Sequence, residues 1–203
     1  MLSVIENIRT RSLTMLNSAA QLPQHHPISV REYFRMGETG VLDPEVRCEL
    51  IEGKLFDMPP IGPPHSSKVN RLIRSFSQIV GDQAIVSAQN PIVLGDFSAP
   101  QPDLALLHWR EDFYEQVHPG PEDVLMLAEV ADSTLTYDRD YKLPLYARFA
   151  IPEVWLVDVA GRQLDVHQDP ESGKYKTKFR VRDLSCVGIA ALPNIKLDLR
   201  SLF

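Results

Sequence analysis

Gln101-Pro102-Asp103-Leu104-Ala105-Leu106-Leu107 and Val124-Leu125-Met126-Leu127-Ala128-Glu129-Val130 are the stretches on which the fold turns. Each joins a carboxylate to an apolar run that reads as a buried strand. A charge at the end of such a strand is costly unless something compensates it. Pro102 biases Gln101 toward extended geometry, which puts Asp103 at the mouth of its strand. Standing alone, Asp103 would read as a turn-forming aspartate. Glu129 lies deep in its apolar run, where an acid is rarely decoration; its bland alternative is a buried ion pair with an arginine. Lys142, in Asp138-Arg139-Asp140-Tyr141-Lys142, comes thirteen residues after Glu129, too far to share its strand. It must return from the following turn or helix, and by itself it reads as a surface lysine. Two carboxylates and a lysine together suggest a divalent-cation site, and such a site near basic residues suggests phosphodiester chemistry.

Outward from these runs, the pattern predicts helix, hairpin, helix, several strands, helix, then strands. Pro23 to Pro27 reads as a linker, with His25 and His26 as loop residues. Ser29 and Glu32 form a capping box ahead of a short helix, Val30 to Met36. Cys48 to Ile51 and Lys54 to Met58 form a hairpin about Glu52-Gly53. Four prolines between Pro59 and Pro64 argue against regular structure there. Ser67 to Val80 is then the clearest helix, with Val69, Leu72, Ile73, Phe76, Ile79 and Val80 in one apolar stripe. Strand-like runs follow at Ala84 to Ala88, Pro91 to Leu94, Leu104 to Trp109 and Val124 to Val130. Ser133 and Thr134 read as turn residues satisfying backbone groups. Asp138 to Phe149 reads as helical, with regular geometry starting near Leu143 because Pro144 is tolerated only in a first turn. Val154 to Val159, Gln163 to His167, the lysine-alternating run and Leu192 to Leu197 complete the sheet. The order predicts an α+β or mixed α/β fold with a central sheet flanked by helices.

The 203 residues are most simply one domain, and 44% hydrophobic with 24% charged residues is an ordinary globular composition. No apolar stretch is long enough to span a bilayer, so no membrane partner is expected. Met1 to Gln21 carries Glu6, Arg9 and Arg11 where a secretory signal needs an unbroken apolar block, and reads as a short amphipathic helix or a mobile extension. Cys48 and Cys186 lie far apart with no metal-type spacing, which fits a reduced, cytoplasmic setting. A net charge of −6 argues against binding nucleic acid by bulk electrostatics. Local clusters can override that total. Lys174, Lys176, Lys178, Arg180 and Arg182 alternate with Tyr175, Thr177, Phe179 and Val181, which sets five cations on one strand face. That face could follow a phosphate backbone, although a solvated outer face is slightly favoured. Lys68, Arg71 and Arg74 share the polar side of the Ser67 to Val80 helix; they could contact phosphates, but a solvated helix face is the commoner explanation.

Six segments in order resemble a known family: Cys48-Glu49-Leu50-Ile51-Glu52-Gly53-Lys54-Leu55; Pro64-His65-Ser66; Gln101-Pro102-Asp103-Leu104-Ala105; Leu127-Ala128-Glu129-Val130-Ala131-Asp132-Ser133-Thr134; Tyr137-Asp138-Arg139-Asp140-Tyr141-Lys142-Leu143-Pro144-Leu145-Tyr146-Ala147; and Ile151-Pro152-Glu153-Val154-Trp155-Leu156-Val157-Asp158. Together they look like the Uma-type family of putative restriction endonucleases, within the PD-(D/E)xK nuclease superfamily. The resemblance runs from about Ile28 to the C-terminus, leaving 1–27 as an N-terminal extension to a nuclease-like domain over 28–203. It implies a restriction-endonuclease-like mixed sheet, an N-terminal hairpin and a Mg²⁺ (or Mn²⁺) cofactor. It implies that Asp103 and Glu129 are acidic ligands, and that Lys142 takes the role of the superfamily lysine, whose usual position holds Ala131. Glu49 matches an acidic position that could complete the metal shell, and His65 a family histidine that contacts site or substrate or merely caps a loop.

Two function classes follow. The first is a metal-dependent endonuclease acting on DNA, with Asp103, Glu129 and the Val130 carbonyl holding the cation and Lys142 orienting water or stabilising the oxyanion. The second is a catalytically silent nuclease fold used for binding or assembly. Cutting both strands of a duplex needs two sites, so a homodimer fits the first class. No Walker or dinucleotide loop and no nucleophile elbow supports a small phosphorylated substrate.

Overall fold

Ser29 caps helix α1 (Val30–Glu38) through the expected box: the Glu32 carboxylate accepts the Ser29 N–H at 2.8 Å, and the Ser29 hydroxyl accepts the Glu32 N–H at 3.3 Å. The computed structural model describes residues 25–203, so the expected Met1 to Gln21 helix or extension lies outside the described residues. A hairpin follows, β1 (Cys48–Ile51) and β2 (Lys54–Asp57), joined by Glu52 and Gly53 with φ of 49° and 75°. Two consecutive positive φ values make a tight turn whose twist matches the strands. A side chain at Gly53 would meet the Pro27 Cβ at 2.5 Å, so this position needs glycine for space as well as for conformation.

Helix α2 (Pro63–Ser77) begins before the expected Ser67 and ends before the expected Val80. Pro63 and Pro64 do not block it, because they occupy the first turn, where no intrahelical N–H is required. Val69, Leu72 and Phe76 face inward as expected, whereas Ile79, beyond the helix end, is 39% exposed.

The central sheet takes β3 (Ala84–Ser87), β4 (Leu104–His108), β5 (Val124–Ala131), β6 (Glu153–Asp158), β7 (Gln163–Glu171) and β8 (Lys174–Arg180), in that spatial order. The Pro91 to Leu94 run is not a sheet strand: Ile92 N–H donates to the Pro100 carbonyl and Val93 N–H to the Pro119 carbonyl instead. Nor does the C-terminal run end the main sheet. β9 (Val187–Ile189) and β10 (Leu192–Leu197) pair with each other as a separate two-stranded sheet. β9 was not expected, because three residues around Gly188 are too short to show a period. No helix among the described residues is long and apolar enough to cross a membrane.

All ladders in the central sheet are antiparallel except β5 with β6. Parallel neighbours need a crossover. Here it is α3 (Leu135–Tyr137), a π-helical segment (Asp138–Lys142) and α4 (Leu143–Arg148). Pro144 sits in the first turn of α4, and Leu143 N–H donates back to the Asp138 carbonyl.

Strand alternation divides the core. Leu104, Leu106, Met126, Ala128 and Val130 pack with Val69, Leu72 and Phe76 of α2. Ala105, Leu107, Leu127 and Ala131 pack with Leu143, Leu145 and Tyr146 of α4 and with Ile51 of the hairpin. Asp103 and Glu129 share the parity of this second group, so both side chains emerge beneath the crossover and the hairpin. The register Leu104↔Ala128, extended by one residue, sets them opposite each other.

Candidate active site

Asp103, Glu129, Lys142, Glu49 and His65 line one cavity of about 50 Å³, with Asp138, Gln101 and Arg47. Five different parts of the chain supply them: the residue before β4, the end of β5, the π segment, β1 and the first turn of α2. Four carboxylates, on Glu49, Asp103, Glu129 and Asp138, are buried around a single buried ammonium, Lys142.

Lys142 Nζ lies 2.9 Å from Glu129 Oε1 and 3.1 Å from Glu49 Oε1. The π segment places this lysine: its wider turn leaves Asp138 and Lys142 both buried while Arg139, Asp140 and Tyr141 face outward. Tyr146, one turn on, donates to Glu129 Oε1 at 2.5 Å. Glu49 Oε1 also accepts the Gln101 N–H at 3.2 Å, and Glu49 Oε2 accepts the Tyr137 hydroxyl at 3.4 Å. Asp138 accepts the Thr134 hydroxyl at 2.6 Å, so that hydroxyl serves the site rather than the backbone group expected for it. Asp103 Oδ2 accepts the Val130 N–H at 2.8 Å, and Asp103 Oδ1 lies 2.9 Å from His65 Nε2 and 3.4 Å from Gln89 Nε2.

The electrostatics follow from this crowding. Burial pushes Glu129 well above the usual carboxylate range; Lys142 pulls it down, and Asp138, Asp103 and Glu49 push it up again. Burial pulls Lys142 down, but Glu129 and Glu49 outweigh it and hold the ammonium well above its ordinary value. Burial likewise lifts Asp138 to about 6 against the pull of Lys142 and the Thr134 hydroxyl. Asp103 goes the other way. Burial raises it, but the His65 contact, Lys142 and the Val130 N–H together bring it below its ordinary value.

Glu153 shows what a purely structural buried carboxylate looks like in this fold. It is fully buried near the start of β6 and satisfied by neutral donors: Trp155 Nε1, Gln168 Nε2 and the Ala190 N–H. It lines no part of the cavity. The cavity carboxylates differ by sharing one ammonium and by facing open space.

Whether these residues suit a hard divalent cation can be judged from the donors. Among the described residues, no three carboxylate, imidazole or thiol groups stand in a ready-made cation cage. The oxygens are nevertheless of the right kind and in excess. Glu129 Oε1 is engaged by Lys142 and Tyr146, while Glu129 Oε2 accepts no hydrogen bond among the described residues. Val130 N–H points at Asp103, and in an extended strand the N–H and C=O of one residue face the same edge. The Val130 carbonyl therefore shares the Asp103 edge. The neighbouring Ala131 carbonyl faces the other edge, where it accepts the Val159 N–H at 2.9 Å. Asp103, Glu129 and the Val130 carbonyl are thus a set that fits such an ion, in a cavity with surplus negative charge.

A family profile described as Uma2, "Putative restriction endonuclease", matches residues 30–200. The chain belongs to the Uma2 family. A crystal structure described as "a putative nuclease belonging to DUF820", from Anabaena variabilis, has a TM-score of 0.67 to this fold at 17% identity, covering 87% of this chain and 98% of that one. A search of curated proteins gives no match. The Uma2 assignment and the central mixed sheet with its N-terminal hairpin agree with the nuclease-type architecture read from the sequence. In this Uma2 chain Ala131 is fully buried against α4, and the site's ammonium arrives from the crossover.

The other cationic candidates do not reach the cavity. Lys174, Lys176 and Lys178 are exposed on edge strand β8, three strands from β5, which is roughly 14 Å at ordinary strand spacing. Lys176 pairs with Glu171, and Arg180 with Asp165. Lys68, Arg71 and Arg74 lie further along the helix that begins beside His65. Tyr146, Asp138, Gln101 and Arg47 were not among the sequence candidates. Tyr146 reads as a core aromatic, and nothing local distinguishes Asp138 from the adjacent acid Asp140.

Proposed function

We propose that this chain is a Mg²⁺-dependent (or Mn²⁺-dependent) endonuclease that hydrolyses DNA phosphodiester bonds. One observation carries the reading: Asp103, Glu129, Glu49 and Lys142, from four separate elements, meet in a single cavity of about 50 Å³. Membership of the Uma2 family supports the nuclease class.

Asp103, Glu129 and the Val130 carbonyl would hold the cation. When bound, a divalent ion lowers the pKa of a coordinated water and offsets charge on the phosphoryl oxygens. The remaining steps belong to the protein. His65 and the Val130 N–H keep the Asp103 carboxylate ionised and oriented. Lys142, held protonated by Glu129 and Glu49, presents a fixed ammonium to the attacking water or to the developing oxyanion. Tyr146 fixes the Glu129 rotamer through Oε1, leaving Oε2 free.

The duplex backbone would lie along α2. Lys68, Arg71 and Arg74 continue outward from His65, and Arg71 Nη1 donates to the Ser201 carbonyl at 2.7 Å, which draws in Arg200. Arg162 approaches Lys68 closely enough to depress its pKa, after burial and alongside Arg71. Asp198, paired with Arg200, is the carboxylate lining this groove. On a chain of net charge −6, this concentration suits a polyanion better than simple solvation. A homodimer would offer a cavity to each strand.

The test is cleavage of plasmid DNA with Mg²⁺ or Mn²⁺. Cutting should vanish with EDTA and in Asp103→Ala; activity that survives EDTA would sink the metal mechanism. The silent-module reading draws on Lys142 already occupying Glu129 Oε1 and Glu49 Oε1. It predicts no heat on titrating Mn²⁺ into the protein.

A further inference from the structure

Beside the cavity, on the rim where the hairpin meets the crossover, lies chemistry that the metal mechanism does not use: none of its aromatic rings lines the cavity itself, but Tyr137 bonds the lining residue Glu49. Tyr137, Tyr141 and Phe56 form an aromatic cluster. Tyr137 and Tyr141 stack with ring centroids 5.7 Å apart and planes 28° from parallel, and Phe56 lies 5.5 Å from Tyr137 and 6.5 Å from Tyr141. Phe56 is directly opposite Glu49 in the hairpin, so it emerges on the cavity side of β2. Tyr137 bonds Glu49, and Tyr141 immediately precedes Lys142. Tyr137 and Phe56 pack against the core, which accounts for their presence. Tyr141 is different. It is 55% exposed, although it stacks on Tyr137 and lies near Phe56. An exposed ring contributes little packing to the core, yet this one stacks against a second aromatic.

Arg47 stands on the same rim. It lies two residues before Glu49 along an extended stretch, its carbonyl accepting the Met58 N–H at 2.8 Å, so its side chain takes the Glu49 face of the hairpin. It lines the cavity, is only half-buried, and among the described residues no carboxylate lies within ion-pair distance of it. In a cavity with four buried carboxylates, a guanidinium turned to the mouth without an acidic partner is set up for an incoming anion.

We propose that this rim is a nucleotide subsite: Tyr141 is a stacking platform for an unpaired base, and Arg47 clamps the phosphate attached to it. The proposal rests on the nuclease reading for the identity of the polymer, and it refines that reading toward strands with at least one splayed or single-stranded nucleotide beside the cut. Stacking on an aromatic ring needs the base face free, which a fully paired duplex does not offer. The arginine supplies the planar, bidentate contact that phosphate favours.

The test separates base from phosphate. Fluorescence anisotropy, at low salt with Ca²⁺, would compare binding of an oligothymidylate with that of a strand of equal length carrying abasic residues. Tyr141→Ala should weaken oligothymidylate binding by about tenfold and leave abasic binding unchanged, with Tyr141→Phe close to wild type. Arg47→Gln should weaken both strands alike. Equal oligothymidylate binding by wild type and Tyr141→Ala overturns the platform, as does an equal loss on the abasic strand. Unaltered binding by Arg47→Gln overturns the clamp. None of these readouts requires turnover. A base-dependent Tyr141 effect without Mg²⁺-dependent cleavage would support the subsite and remove the hydrolase. Cleavage without that effect would do the reverse.

Discussion

Lys142 Nζ and Glu129 Oε1 lie 2.9 Å apart, with both side chains almost completely buried. Among the described residues no arginine pairs with Glu129, so the compensation expected for a buried strand glutamate comes from a lysine on the crossover. Breaking a buried pair leaves an uncompensated charge, which costs more than the pair itself contributes.

Lys142→Ala should therefore lower folding stability by about 3–5 kcal/mol in urea denaturation, because Glu129 and Glu49 both lose their cation. Combining it with Glu129→Gln should restore part of that loss. If Lys142→Ala costs less than the range seen for exposed pairs, the ammonium does not hold the cavity together.

A divalent ion that binds only the folded state stabilises it by mass action, about 2.7 kcal/mol at a hundredfold excess over Kd. Mn²⁺ should raise the thermal midpoint of the wild-type protein. Asp103→Asn and Glu129→Gln should each abolish that rise, as followed by circular dichroism. An undiminished rise in both variants would place the cation elsewhere.

The sequence made some of this geometry legible and hid the rest, for physical reasons. Asp103 and Glu129 stood out because an acid in an apolar run has to be compensated. The thirteen-residue gap showed that Lys142 had to come from a different element, but not that it would be buried. The capping box at Ser29, the Glu52-Gly53 turn and the crossover helix were readable because each depends on local chemistry. The start of α2 is hidden because Pro63 and Pro64 break a helix interior but are tolerated in its first turn, and the sequence alone does not show which place they take. The pairing of β9 with β10, outside the main sheet, depends on contacts that no local pattern encodes. Glu49 was visible only through family resemblance: within Cys48–Ile51 every residue is buried, so no alternation marks it.

Asp138 should pull metal-free stability down as pH rises from about 4 to about 6, while His167, which burial lowers to about 4, pulls it up over the same range, so the two are separated by mutation. Burial lifts folded Asp138 to about 6, above its ordinary value of 3.8, so the folded state holds a proton that the unfolded chain has released. Stability from that proton is complete below the unfolded value and is lost as pH rises through the folded one, at most about 3 kcal/mol. The stability difference between wild type and Asp138→Asn should therefore fall with rising pH over this window. A difference that stays flat or rises would contradict the assignment.

His65 lies 2.9 Å from Asp103 Oδ1, and that contact is the largest of the influences lowering the Asp103 pKa against burial. His65→Ala should shift the acid limb of the pH–activity profile upward, since Asp103 would need a higher pH to ionise. An unchanged limb with reduced kcat would mark His65 as a substrate contact instead.

Gly53→Ala should destabilise the hairpin by about 1–3 kcal/mol, because the left-handed φ and the nearby Pro27 Cβ both oppose a side chain. Urea denaturation measures the loss. A neutral result would mean that the turn and the Pro27 segment relax freely.

The π segment sets a length requirement as well as a composition. Five residues, Asp138–Lys142, make one widened turn here. Removing Arg139, Asp140 or Tyr141 would let an ordinary helix run on from Leu135, with a narrower turn and about 1.5 Å less rise before Lys142. The lysine would survive in the gene while its ammonium lost its present seat between Glu129 and Glu49. Trimming or adding a single codon in this connector is thus a more severe change than many substitutions, whereas the surface loop at 110–123, which lies outside the cavity, has no such counting rule.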